Sequence, residues 1–401
     1  MTDSRESVRP VPGWLHLWAI LTVCVTLVLL VLGQFVTSFK VGMSDPIWPT
    51  EPWYLFAGGW KEPKGGYLIE HSHRIAGFTV GALMSVLAIG LWWTEPVRFL
   101  RRFGAVLLLV LLGGYGQLHG ELIAQRESID PVHVSIVPLA VMGASLLGLL
   151  GLAMSGSRGT GLRLLGVVAL VAVMIQGLLG GFRVRLDALF GPELAPIHGI
   201  FAQVVFCLLV SLAVLTGRPV ATDLPETARR LLNRLSLGLV GVVFVQLLWG
   251  AMVRHAPNAL NQRLHLLTAF LAVALAAWML RVAFTIPAAR LRVAVTGWAL
   301  GGLIALQVLL GVEAWMGKFG DEARAGKPLA AHLPEAEPVS VKQASMRTAH
   351  TLVGTGVLAA AVVFALRIRA KPVPVEIESM DAIWERAIAP EPAFELSGKR
   401  S

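Results

Sequence analysis

Four histidines stand near one end of four apolar segments: His73, in the run Glu70-His71-Ser72-His73-Arg74, then His198, His265 and His350. An ionisable side chain at the edge of a bilayer core is expensive to keep and usually serves a function. Neutral imidazole is a good axial ligand for iron. A four-helix bundle can hold a flat macrocycle between histidines on facing helices. Four such residues on corresponding segments of two similar halves point to two iron porphyrins, each held by a pair of imidazoles.

Small residues follow each histidine by one turn, on the same helix face: Gly77, Ala202, Ala269 and Gly354. They would let a porphyrin approach the backbone, although Gly and Ala are common in transmembrane helices in any case. Of the other histidines, His16 reads as interfacial, and His332 and His255 as loop residues. His71 lies two residues from His73, so the two do not share a helix face. His119 and His133 compete for a ligand role, and His133 also opens a helix, which leaves open whether it replaces His198.

Glu70 lies three residues before His73, so in a continuous helix the two share a face. Beside a haem edge, a partly desolvated carboxylate could move protons. A helix N-terminal acid complementing the dipole is the alternative. Arg74 suits a haem propionate or a lipid phosphate. Neither reading explains Glu313.

The elements that must position these residues are membrane helices. Of 401 residues, 55% are hydrophobic and 15% charged, against about 25% charged in a soluble globule; mean hydropathy is +0.69. Ten spans are predicted, near 14–38, 74–94, 103–119, 133–155, 163–182, 196–217, 235–253, 264–281, 292–316 and 348–368. The third is short and broken by Gly113, Gly114 and Gly116. The first is too long for a signal-peptide core and is retained as a helix. The fold class is thus all-α and polytopic.

Segments 94–103, 155–163, 218–234 and 281–292 hold twelve Lys or Arg, against five in the alternating short loops. The positive-inside rule therefore places both termini in the cytoplasm of a multi-pass protein. The net charge of +9 suits anionic lipid headgroups and implies no nucleic-acid partner. Cys24 and Cys207 fall inside spans. With no CxxC or c-type attachment motif, any haem would be bound non-covalently.

The halves share phrasing. Val31-Leu32-Gly33-Gln34 ends the first span and Gln246-Leu247-Leu248-Trp249-Gly250 the seventh, each ahead of a histidine, His73 or His265. Gln176 to Gly181 matches Gln307 to Gly311, ahead of His198 and His350. His73 and His198 are 125 residues apart, His265 and His350 only 85. The excess suits an extra helix pair, so two pseudo-repeated four-helix bundles with an inserted pair are expected. Residues 1–217 form the first bundle, with the insertion at about 103–155. A linker occupies 218–234, the second bundle 235–369, and a disordered cytoplasmic tail 370–401. The outer loop 40–69 carries Trp48, Trp53, Tyr54, Phe56 and Trp60, either as interfacial belt or as a cap over a pocket.

Asp45-Pro46-Ile47-Trp48-Pro49, the Glu70-x-x-His73-Arg74 motif, the Gln176 and Gln307 phrases with His198 and His350, and His265 together resemble the heme A synthase family. The resemblance covers both halves, without the inserted pair and the tail. It implies two four-helix bundles that convert heme o to heme a by oxidising the C8 methyl to a formyl group, for cytochrome oxidase. It implies that His73 and His198 hold the porphyrin being oxidised, that His265 and His350 hold a resident heme b, and that Glu70 is catalytic. Two hydroxylations of one carbon and loss of water would give the aldehyde. Implied partners are heme o, an electron-transfer partner, heme o synthase and oxidase assembly factors, in a bacterial-type or inner mitochondrial membrane. The chain departs from the family pattern in lacking a cysteine pair in its first outer loop and in having ten spans where eight are usual. Rival readings are a dihaem b-type electron carrier, which has no need of Glu70, and a haem-delivery factor.

Overall fold

Backbone amides in hydrocarbon must find partners within their own segment, so long apolar runs fold as helices. The computed structural model describes residues 11–42, 44, 66–125, 134–154, 159–185, 194–217, 223–324 and 340–370. Among them the chain forms ten long helices and no strand. They are α1 (Gly13–Ser38), α2 (Tyr67–Trp93), α3 (Arg98–Ala124), α4 (Ile136–Ala153), α5 (Thr160–Arg185), α6 (Leu194–Thr216), α7 (Glu226–His255), α8 (Ala259–Thr285), α9 (Pro287–Arg324) and α10 (Val341–Arg369). All ten are long and apolar enough to cross a bilayer. The protein is an all-α polytopic membrane protein of about ten spans.

Several helices run further than hydropathy alone suggests. The start of α2 at Tyr67 places Glu70 and His71 inside the helix. It follows Gly66 at φ +84°, where a Cβ would strike the Val41 side chain at 2.3 Å, so glycine is required there. The glycines of α3 do not break it. Residues 226–234, read as linker, already belong to α7, because Pro225 starts a helix whose first turns are charged. Side-chain caps start two of the histidine helices: Asn258 accepts from the Asn261 amide on α8 (2.8 Å) and Ser340 from the Gln343 amide on α10 (3.2 Å). The motif at 45–49, the aromatic loop residues, His133, His332 and the tail beyond 370 lie outside the described residues.

Helices α1, α2, α5 and α6 pack as a closed ring in that order, and α7, α8, α9 and α10 form a second. The two rings meet through α1, α6, α7 and α10, where Leu30, Phe206 and Val210 pack on Leu352, Ala359 and Val363. The pair α3–α4 docks outside the first ring, mainly against α2. Each ring has its own apolar core: Leu15, Met84, Leu91, Leu170 and Leu212 in the first, Leu239, Met279, Leu300, Leu358 and Phe364 in the second. Both cores lie toward the ends remote from the four histidines.

At that remote end Arg163 on α5 and Glu95, just after α2, form a buried ion pair at 2.6 Å. Glu95 also accepts from the Val97 amide at the start of α3 (3.1 Å), so one carboxylate ties three helices. Removing one member of such a pair strands a buried charge. Glu95→Gln is expected to lower the unfolding free energy in dodecylmaltoside by about 3 kcal/mol. The double change Glu95→Gln with Arg163→Met should recover most of it. A double variant as unstable as the single one would show that the pair is not the cause.

Candidate functional site

Each histidine helix packs against the helix before it, and each imidazole lies over a glycine of that neighbour. A Cβ built on Gly33 would stand 2.8 Å from His73 Cε1. The same distance is 3.0 Å for Gly180 and His198, 3.2 Å for Gly250 and His265, and 3.0 Å for Gly311 and His350. Only a residue without a side chain leaves room for the ring. One turn deeper the relation reverses. The residue four before the glycine meets the small residue four after the histidine: Leu29 reaches Gly77 (4.0 Å to a built Cβ) and Gln307 Nε2 reaches Gly354 (3.1 Å). The glycine–imidazole contact occurs four times, on α1–α2, α5–α6, α7–α8 and α9–α10, and the reversed contact on α1–α2 and α9–α10.

The residue four before the glycine also orients the ring. His73 Nδ1–H donates to the Leu29 carbonyl and His265 Nδ1–H to the Gln246 carbonyl, both at 3.2 Å. A carbonyl only accepts, so Nδ1 carries the proton and Nε2 keeps its lone pair. This is the arrangement of a metal-ligating histidine, whose second nitrogen is usually tied to a carbonyl or carboxylate. Three of the four modules also place a glutamine amide on the imidazole. Gln176 Nε2 donates to the His198 carbonyl (3.1 Å) and lies 3.3 Å from its Nε2. Gln246 Nε2 is 3.4 Å from His265 Nε2, with its Oε1 accepting from Thr268. Gln307 Nε2 is 3.5 Å from His350 Nε2. The first module has Leu29 at this position, while Gln34 serves elsewhere.

In the second ring the histidine helices α8 and α10 are diagonal neighbours. The His265 and His350 rings face each other with centroids 6.3 Å apart and planes at 81°. Two metal–imidazole bonds of about 2 Å each, with about 1 Å from nitrogen to ring centre at either end, span about 6 Å. The pair is therefore spaced for one iron between them. Around it the side chains are less buried than at the opposite end of the ring. No side chain is fully buried over 244–255 of α7, 263–275 of α8 or 301–317 of α9, whereas helix interiors normally pack closely. Gln307 Oε1 is buried there without a hydrogen-bond partner, a group that a ligand or water would compensate. The residues fit a bis-imidazole macrocycle. Among the described residues no three or more His, Cys, Asp and Glu side chains gather to hold a bare metal ion; a porphyrin iron needs only two protein ligands.

His73 and His198 lie on α2 and α6, the diagonal of the first ring. There Glu70 is buried and accepts from Arg74 at 2.9 Å. The position three before the histidine carries Glu70 on α2, Ala195 on α6, Gln262 on α8 and Arg347 on α10. The acid occurs in the first ring only. Its counterpart Gln262 is buried with Nε2 unpartnered.

The remaining candidates separate. His71 is fully buried and stacks on Tyr67 at 4.9 Å. His119 meets the edge of Phe78, and His16 approaches Thr216 Oγ1 at 3.3 Å. His255 ends α7 half-buried rather than in a solvated loop. Glu313 approaches exposed Lys342 at 3.4 Å.

Sequence reasoning missed Arg254. One turn after Gly250, it donates to Gln34 Oε1 (2.6 Å) and Ser38 Oγ (2.7 Å) on α1, and Ser38 Oγ is 3.0 Å from Thr348 Oγ1 on α10. This cluster joins the rings between their histidine sites. Its only sequence signal was an arginine one turn past the Gln246-to-Gly250 phrase.

No family model matches the chain, and no solved structure matches it. Two curated proteins are similar over one stretch. They are potassium-transporting ATPase potassium-binding subunits of Clostridium botulinum strains Eklund 17B and Alaska E43. Each is 32% identical over 121 residues, covering 30% of this chain and 20% of the relative. The chain thus spans about a fifth of the length of these relatives.

The Gly–imidazole contacts generate a stability test. Gly33→Ala and Gly180→Ala are each expected to cost about 1–3 kcal/mol through overpacking, read as loss of denaturant resistance in detergent. Gly81→Ala and Gly241→Ala, on α2 and α7 with open space at the Cβ position, should be neutral or slightly stabilising. Equal behaviour of the two sets would contradict the seating of the rings on the glycines.

Proposed function

We propose that this protein is a heme A synthase-like membrane oxidoreductase that oxidises the C8 methyl of heme o to the formyl group of heme a, for cytochrome oxidase biogenesis. The observation that carries the reading is the difference between two otherwise matching rings. Both have histidine modules on diagonal helices, but only the first has a buried acid three residues before a histidine, where the second has Gln262. A resident cofactor needs ligands alone. A porphyrin that reacts needs a group that handles protons.

In this reading His265 and His350 hold a resident heme b, and His73 and His198 hold heme o and later heme a. The porphyrin iron supplies the oxidising chemistry when bound. The chain's own residues position and deprotonate. Glu70 would accept protons released as the methyl group is oxidised. Arg74 holds the Glu70 carboxylate in place and offers its remaining N–H groups to a propionate. Leu29 stands where the other modules have glutamine, so this module lacks the amide side chain that the others place beside their imidazole. That suits a site whose porphyrin must enter and leave.

Overall the methyl group and one water give the formyl group with loss of four electrons and four protons, so water supplies the oxygen and the electrons leave to a separate acceptor. Heme o synthase and oxidase assembly factors are the natural neighbours in a bacterial-type or inner mitochondrial membrane, with both termini in the cytoplasm. Four near-equivalent modules also suit a dihaem b-type electron carrier, and that reading makes Glu70 dispensable. The partial match to potassium-binding subunits carries less. Ion filters use non-helical carbonyls at membrane depth, and the described spans are continuous helices.

Co-expression with a heme o supplier, followed by pigment extraction and mass analysis, separates these readings. Wild type is expected to accumulate heme a. Glu70→Ala should retain both haems yet lose conversion by about a hundredfold or more, the scale of a lost general base. Wild-type conversion by Glu70→Ala would exclude the catalytic role.

A further inference from the structure

The two rings differ again at the end remote from the histidines. Each carries an arginine near the start of its third helix, thirteen residues before Gln176 in one case and fifteen before Gln307 in the other. Both are almost fully buried, Arg163 and Arg292 each at 4% exposure. Arg163 is neutralised by Glu95 at 2.6 Å. Arg292 has no such acid among the described residues, because the short connection from α8 to α9 is Ile286-Pro287, where the first ring has Glu95-Pro96.

Arg292 donates through Nη2 to the Ala370 carbonyl at the end of α10. Its Nε and Nη1 are buried without a partner. The charged groups that act on it are Asp223 and Arg229. A guanidinium that gives an N–H bond to a carbonyl, strands others inside the protein and forms no ion pair among the described residues is only partly compensated.

Arg369, beside the Ala370 that Arg292 holds, lines an open cavity of about 210 Å³ together with Glu226, Arg229, Arg230 and Asn233; Arg292 itself is not in the lining. Glu226 is shared between Arg229 and Arg230, so its one negative charge meets two positive ones. Asn233 Oδ1 is also buried without a partner. Amide orientation follows from neighbours, so an anion here would turn the Asn233 NH₂ toward itself. Arg292 and Arg369 remain in excess over the local acids.

We propose that Arg229, Arg369 and Asn233, backed by the buried charge of Arg292, form a phosphate-binding site that holds the headgroup of an anionic phospholipid at this end of the second bundle. The charge requires an anion, and guanidinium pairs favour phosphate oxygens. The location favours a lipid. The cavity lies at the ends of membrane-spanning α7 and α10, where basic pockets between helices collect acidic headgroups. The positive-inside rule assigns this end to the cytoplasmic leaflet. The site is independent of the histidines and of the reaction proposed for them.

Native mass spectrometry of the full-length protein, released from nanodiscs of mixed phosphatidylglycerol and phosphatidylcholine, tests the site. Wild type is expected to retain phosphatidylglycerol about tenfold or more over phosphatidylcholine, given several guanidinium contacts each worth a measurable factor. Arg229→Gln and Arg369→Gln, at the accessible rim, should each reduce that preference about fivefold, and high salt should weaken it. Arg292→Gln should abolish it. Should that variant fail to fold, the two rim variants carry the test. Arg98→Gln, near the corresponding end of the first ring, should leave the preference unchanged. Equal retention of both lipids, or rim variants that bind like wild type, would overturn the proposal. A parallel thermal-shift titration with inorganic phosphate separates the sources: stabilisation by free phosphate without lipid preference would overturn the lipid assignment.

Discussion

An imidazole seated on a glycine of the neighbouring helix is the contact on which the rest of this structure depends. The glycine lets two helices approach closely enough for the ring to lie inside the bundle. For His73 and His265 the carbonyl one turn deeper accepts from Nδ1, which makes Nε2 the nitrogen suited to ligation. Four copies of this contact sit at one end of two four-helix rings, and the apolar cores lie toward the other. Close apolar packing and polar character are thereby separated along the helix axes. Tightly packed Leu and Met side chains hold one end, and the polar end has space and unpaired hydrogen-bonding groups.

Departures from the repeat carry more information than the repeat itself. Leu29 replaces glutamine in one module of four, and Glu70 faces a counterpart Gln262. At the opposite end Glu95 pairs directly with Arg163, while Arg292 forms no such ion pair among the described residues and has only Asp223 as an acid acting on it. A duplicated bundle has nothing to gain from asymmetry in packing alone, since the same scaffold serves both copies. Each difference changes the charge or hydrogen bonding of a buried position, where a single group weighs most. The Arg254 cluster couples the halves. Its guanidinium sits one turn from the glycine under His265 and bonds Gln34, the residue next to the glycine under His73.

Much of this was legible in the chain. Histidine, glutamine and glycine stand out against apolar background, so the four sites and their phrases could be read by eye, and ten spans followed from hydropathy. Helix starts were read too late, because the outer turns of α2, α8 and α10 are polar and carry no hydropathy signal; their ends come from caps such as Asn258 and Ser340. Gln34 looked like part of the repeated phrase, but only the register of α1 against α2 shows that Leu29 occupies the glutamine position. Arg254 with Gln34, and Arg163 with Glu95, join residues 220 and 68 positions apart, which no local pattern announces. Buried arginines also resembled the surface arginines that set orientation, and burial alone tells them apart.

The central claim is that His265 and His350 close on one iron with their ring planes nearly perpendicular. Electron paramagnetic resonance of the oxidised, purified protein tests it most directly. A highly anisotropic low-spin ferric signal, as two crossed imidazole planes require, should appear in wild type and vanish in His265→Leu and in His350→Leu, with no loss in His119→Leu. A colourless preparation, or a signal that survives both changes, would contradict the account.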